Sequence, residues 1–113
     1  MRAPFFPLVI EKGSDFDLRF TLLDDSNNPI DLTGHIVRSQ IRSSYSEDAQ
    51  LLATFNTINT LGADGVVHFR LSSSVTASLP AGKAVYDVEW EDNTGYVSKI
   101  LRGVVIIHPE ATR

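Results

Sequence analysis

Cysteine is absent from this chain of 113 residues, and tryptophan and methionine occur once each. Without thiols there is neither a disulfide framework nor a thiolate metal site, which fits a reducing compartment. No apolar run approaches the roughly 20 residues that a membrane helix needs, so a membrane-spanning chain is not expected. Lysine and arginine together number 10 against 14 acidic residues, for a net charge of −4. These cations are scattered along the chain, whereas binding to nucleic acid depends on their clustering, so nucleic acid is not an expected partner. Catalytic signatures are missing too. The histidines His35, His68 and His108 stand far apart, there is no Gly-x-Ser-x-Gly elbow, and no nucleophile, base and oxyanion hole assemble from the residues present. The chain is therefore expected to be no enzyme and to hold no metal or other cofactor.

What is present is the material of a small β domain. Hydrophobic residues make up 42% and charged residues 21%, ordinary proportions for a folded chain with one core. Phe16, Leu18, Phe20 and Leu22 alternate with Asp15, Asp17, Arg19 and Thr21, the strongest strand signal in the sequence. Val37, Ser39 and Ile41 alternate with Arg38, Gln40 and Arg42, residues 51–56 form a short strand, and Val67, Phe69 and Leu71 point inward from residues 66–71. Residues 24–29 and 59–65 carry turn chemistry. Residues 72–79 form the one plausible helix, of one or two turns, capped by Ser72 or Ser73 and stopped by Pro80 and Gly82. About seven strands at such spacing favour an all-β, antiparallel, immunoglobulin-like β-sandwich, with one short helical turn near residues 73–79 crossing between its sheets.

The two ends of the chain differ from this regular pattern. Ala84, Tyr86, Val88 and Trp90 alternate with Val85, Asp87, Glu89 and Glu91, apart from the apolar Val85, and residues 92–95 make a tight turn. The last strand is apolar on both faces. Val97, Leu101, Val105 and Ile107 point one way and Ile100, Val104 and Ile106 the other, so either a bulge at Gly103 switches the faces or both faces are covered. At the front, two prolines and then Glu11 and Lys12 interrupt what would otherwise resemble a signal peptide. Residues 1–7 read as an arm leading into a single domain over residues 8–113. Phe5 and Phe6, being adjacent, should face opposite ways, one into the core and one outward or onto a partner.

The polar clusters have ordinary explanations. Asp87, Glu89 and Glu91 recur every second residue, about 7 Å apart, too far for several to share one calcium ion. Cross-strand pairing with Arg38 and Arg42, or with Lys99 and Arg102, accounts for them better. Asp24, Asp25, Asn27, Asn28 and Asp31 lack the spacing of a calcium loop and suit a strand-to-strand turn. Tyr86 and Trp90 share the parity of Val88, which makes them core residues rather than a ligand platform.

Taken in order, these segments resemble small bacteriophage virion domains found among tail, baseplate and fibre genes. The resemblance is carried by residues 20–22 with the acidic Asn/Pro turn, residues 29–34, residues 37–42, residues 76–82, residues 86–90 and the ending from Gly103 through residues 109–113. It covers nearly the whole chain except the arm. It implies an immunoglobulin-like β-sandwich, without catalytic residues, serving as a structural or adaptor part of a phage particle assembled in the host cytoplasm.

The expected function is thus a virion structural protein, a tail adaptor associated with baseplate or fibre, docking onto other virion proteins in several symmetric copies. Phe5, Phe6 and Leu8 of the arm region, and Ile100, Val104 and Ile106 on the outward side of the last strand, are the expected interface residues. Phe16, Leu18, Phe20, Leu22, Val67, Phe69, Leu71, Tyr86, Val88 and Trp90 are the expected core. Two alternatives are a capsid decoration protein of the same fold and a carbohydrate-binding module for host recognition, for which Tyr45 and Tyr96 are the candidate exposed aromatics.

Overall fold

The computed structural model describes residues 4–112. Alternating patterns become strands wherever one face can be buried. In chain order these are β1 (Leu8–Glu11), β2 (Phe16–Thr21), β3 (Ile36–Arg42), β4 (Leu51–Thr54), β5 (Asn56–Thr57), β6 (Val66–Leu71), β7 (Gly82–Glu91) and β8 (Val97–His108), with the helix α1 (Ser73–Ser78) between β6 and β7. They build one sheet in the order β1-β8-β7-β3-β4 and a second in the order β2-β6-β5. The described residues are therefore mostly β, in two layers. The expected 51–56 strand divides: β4 belongs to the first sheet and β5 to the second, with Phe55 buried between them.

One core lies between the layers. Ile41, Tyr86, Val88, Val105 and Ile107 from the larger sheet meet Leu18, Val67, Phe69 and Leu71 from the smaller one. Phe16, Phe20, Leu22 and Trp90 are half-buried against this core. Phe55 lies 5.6 Å from Phe69 and 6.2 Å from Phe16, ring to ring, in tilted arrangements that suit aromatic quadrupoles. Leu32, in the segment between β2 and β3, is fully buried as well.

α1 is held at its N-terminus and through Thr76 in its middle. Ser72 caps its first turn by accepting from Val75 N–H, and Asp15 accepts from Ser73 N–H at 2.7 Å. The buried Thr76 hydroxyl accepts from Gly13 N–H at 3.1 Å and donates to the Ser14 carbonyl at 2.8 Å. These bonds satisfy backbone groups of the β1–β2 turn that would otherwise be orphaned beneath the helix.

Four expectations need correction. The sheets are not wholly antiparallel, because β1 runs parallel to β8 with Leu8 beside Val105 and Ile10 beside Ile107. The irregularity of β8 is not at Gly103: Val88 pairs Leu101 and Glu89 pairs Lys99, which leaves Ile100 as the extra residue of a bulge. Ile100 consequently packs half-buried on the core instead of pointing outward, since an extra residue reverses the parity of what precedes it. Residues 4–7 do not stand off as an arm either. Phe6 N–H donates to the Arg102 carbonyl at 2.7 Å and Arg102 N–H to the Pro4 carbonyl at 3.1 Å, so this segment prolongs the β1–β8 pairing. The part of the arm at residues 1–3 lies outside the described residues.

Candidate functional site

Strand register lays the outward face of the larger sheet out in rows. Val9 stands beside Ile106 and Ile106 beside Lys83; the next row joins Val104 to Val85 and Val85 to Arg42. A third row runs from Phe5 through Arg102 and Asp87 to Gln40, a fourth holds Lys99, Glu89 and Arg38, and the last holds Val97, Glu91 and Ile36. The face thus changes along its length from apolar, through charged, back to apolar.

The apolar end forms a strip across β1, β8 and β7. Val9 and Phe5 are exposed, Phe5 at 62%, while Val85, Val104 and Ile106 are half-buried. None of these five belongs to the core cluster. Phe6 is 49% exposed, so neither of the adjacent phenylalanines enters the core, contrary to the alternation expected of a regular strand. The cause is local. Tyr86 donates its hydroxyl to the Phe6 carbonyl at 2.6 Å, and a Cβ on Gly103 would stand 2.3 Å from that same oxygen. Backbone, not a side chain, fills the inward position beside Gly103. Leu8 is a further correction: at 3% exposure it is a core residue and is not available to a partner.

The charged middle is self-complementary. Arg38 Nε donates to Glu89 at 2.6 Å and its guanidinium also reaches Glu91 at 3.1 Å. Lys99 contacts Glu89 at 2.5 Å and Asp87 at 3.3 Å. The hydrogen bond from Lys99 holds the Glu89 carboxyl below the usual carboxylate range, with Arg38 adding to it against a partial cost of burial. Arg42 takes no part in this network, donating to the Gln40 side-chain oxygen at 2.9 Å and the Ala49 carbonyl at 3.2 Å. The acidic 24–31 segment is organised by its own backbone: Asp24 accepts from Ser26 N–H at 2.8 Å and from Asn28 N–H at 3.0 Å. Among the described residues no group of three or more His, Asp or Glu side chains is placed to hold a metal ion.

Over this middle leans the β3–β4 loop. Tyr45 stretches from the loop across β7, its hydroxyl 3.1 Å from the Tyr86 carbonyl and 3.2 Å from that of Gly103. Partial burial pushes the Tyr45 hydroxyl pKa up, although the residue as a whole is 57% exposed. Between Tyr45 and the rows of Gln40, Asp87, Glu89 and Lys99 lies a cleft of about 460 Å³. Tyr96, the other candidate aromatic, is exposed at the β7–β8 turn and does not line this cleft.

Reasoning from sequence missed Val9 and Val85 as members of the outward apolar strip. Val85 carried a signal, as the one apolar residue on the polar parity of its strand. The tether of Tyr45 carried none, because a tyrosine in a serine-rich loop gives no sign of which carbonyl it reaches. Neither any protein-family model nor any curated protein matches the sequence.

Proposed function

We propose that this chain is a non-enzymatic structural subunit of a bacteriophage particle, an adaptor of the tail associated with baseplate or fibre. It docks onto neighbouring particle proteins through a sheet edge and an apolar face, in several symmetric copies, after assembly in the host cytoplasm. The observation that carries the docking reading is the outward strip of Phe5, Val9, Val85, Val104 and Ile106 beside the edge strand β1. Apolar side chains gathered on a sheet face next to an unpaired edge are what strand addition and surface burial use. The attribution to a phage particle rests on the ordered resemblance of the sequence to virion domains.

The fold is read as an immunoglobulin-like sandwich. Its support is the strand order, in which the first strand lies parallel to the last, the last two form a hairpin, and a separate three-stranded layer faces them. Eight strands occur among the described residues, against about seven expected, and β5 has only two residues.

Immunogold electron microscopy of purified particles, with an antibody that binds the native protein, tests this reading. Label at the tail end is the expected result. Label over the shell would replace the adaptor with a capsid decoration protein, and no label at all would remove the chain from the particle.

A further inference from the structure

We propose that the cleft beside Tyr45 is a binding site for a neutral saccharide. This inference does not depend on the docking reading, since the cleft lies chiefly over the charged rows of the sheet and meets the apolar strip only at Val85.

Three observations converge on that ligand class. The first is size: about 460 Å³ falls within the range of small-molecule sites, roughly 300–1,000 Å³, and holds one or two sugar rings. The second is the aromatic wall. Tyr45 is more than half exposed, yet its hydroxyl is tied to the backbone carbonyls of Tyr86 and Gly103. An exposed ring fixed at its tip offers a flat apolar face without the ordering cost of a free side chain. The C–H face of a pyranose is the complement of such a ring.

The third is charge. Arg38, Arg42 and Lys99 face Glu47, Asp87 and Glu89 around the cleft, three charges of each sign. Arg38 and Lys99 are already paired with Glu89, and Lys99 also with Asp87, while Arg42 and Glu47 add one charge of each sign, so the lining has no net charge that favours an anion or a cation. Short polar groups complete the lining. Gln40 gives its side-chain oxygen to Arg42 and keeps its NH₂ as a donor. The Ser44 hydroxyl accepts from Ser46 N–H and keeps its own proton. Carboxylates with spare lone pairs, an amide and hydroxyls, set beside a fixed aromatic ring, match a ligand whose polar groups are hydroxyls that both donate and accept.

Amide chemical-shift mapping by NMR on the full chain tests the proposal. The probes are glucose, galactose, N-acetylglucosamine and their β-linked disaccharides, each taken through the millimolar range, with inorganic phosphate as the charged control. The expected result is shifts confined to residues around the cleft with at least one saccharide and none there with phosphate. Tyr45→Ala should weaken that binding by about tenfold or more. Gln40→Ala, on the outward side of β3, should weaken it as well and serves should Tyr45→Ala fail to fold. Absence of shifts at the cleft with every saccharide, shifts there with phosphate alone, or undiminished binding in a folded variant would each overturn the assignment.

Discussion

Tyr86 and Gly103 stand opposite each other on β7 and β8, and the Phe6 carbonyl occupies the space between them. It accepts from the Tyr86 hydroxyl at 2.6 Å and leaves no room for a side chain on Gly103, where a Cβ would approach within 2.3 Å. Residues 4–7 are thereby fastened to the domain by one side chain on one strand and by an absent side chain on the next.

Gly103→Ala should therefore displace this segment. The expected cost is about 1–3 kcal/mol, typical of overpacking against a neighbour that has to move. Hydrogen exchange should quicken at Phe6 and at Arg102, whose amides bond across the same contact. Unchanged exchange at both amides would show that the segment is held elsewhere.

Tyr86→Phe removes the hydroxyl and keeps the ring, for a loss of about 1 kcal/mol. Burial pushes the Tyr86 hydroxyl pKa up from its ordinary value of 10.0, with Tyr45 nearby adding to the effect. A raised acid binds its proton more tightly in the folded chain, so its contribution is complete below pH 10 and is lost as pH rises above that value. Alkaline denaturation curves of the wild type should fall in that window, and those of Tyr86→Phe should fall less steeply.

Leu8→Asp and Val104→Asp separate core from surface on adjoining strands. Leu8 is buried, and an uncompensated carboxylate there should cost more than about 3 kcal/mol or prevent folding. Val104 lies on the outward strip, where the same change should cost within about 1 kcal/mol and act on particle association instead. A comparable fall in melting temperature for both would make the strip part of the core.

Thr76→Val preserves shape and removes the hydroxyl that bonds Gly13 N–H and the Ser14 carbonyl. Two backbone groups of the β1–β2 turn lose a partner, at an expected cost of about 1–3 kcal/mol in thermal or urea unfolding. Thr76→Ser, which keeps the hydroxyl, should recover most of that loss.

Glu89→Gln tests the charged rows. The Glu89 carboxyl is held below its ordinary value of 4.5, chiefly by the hydrogen bond from Lys99. A depressed acid stabilises the fold above its unfolded pKa, and that stabilisation is lost as pH falls below 4.5 through the lowered value. The effect on stability should be no more than about 1 kcal/mol for a pair so near the surface. Acid unfolding of the variant should show a shallower slope in that window, and a slope equal to that of the wild type would remove Glu89 as a contributor.

Local sequence determined the elements of this protein. Phe16, Leu18 and Phe20 could bury one face only as a strand, Asp24, Asn27 and Asn28 could bend the chain through their own backbone, and Ser72 with Pro80 bounded a helix, because each of these effects is decided within a few residues. Tertiary structure decided what the elements faced. The bulge at Ile100 depends on pairing with the neighbouring strand β7, and the parallel seat of β1, the burial of Leu8 and Leu32 and the reach of Tyr45 across β7 depend on groups tens of residues away in sequence. Periodicity records only that a residue is apolar; whether that apolar surface meets the opposite sheet, a passing backbone or solvent depends on register between strands, and a shift of one residue at Ile100 is enough to reverse it.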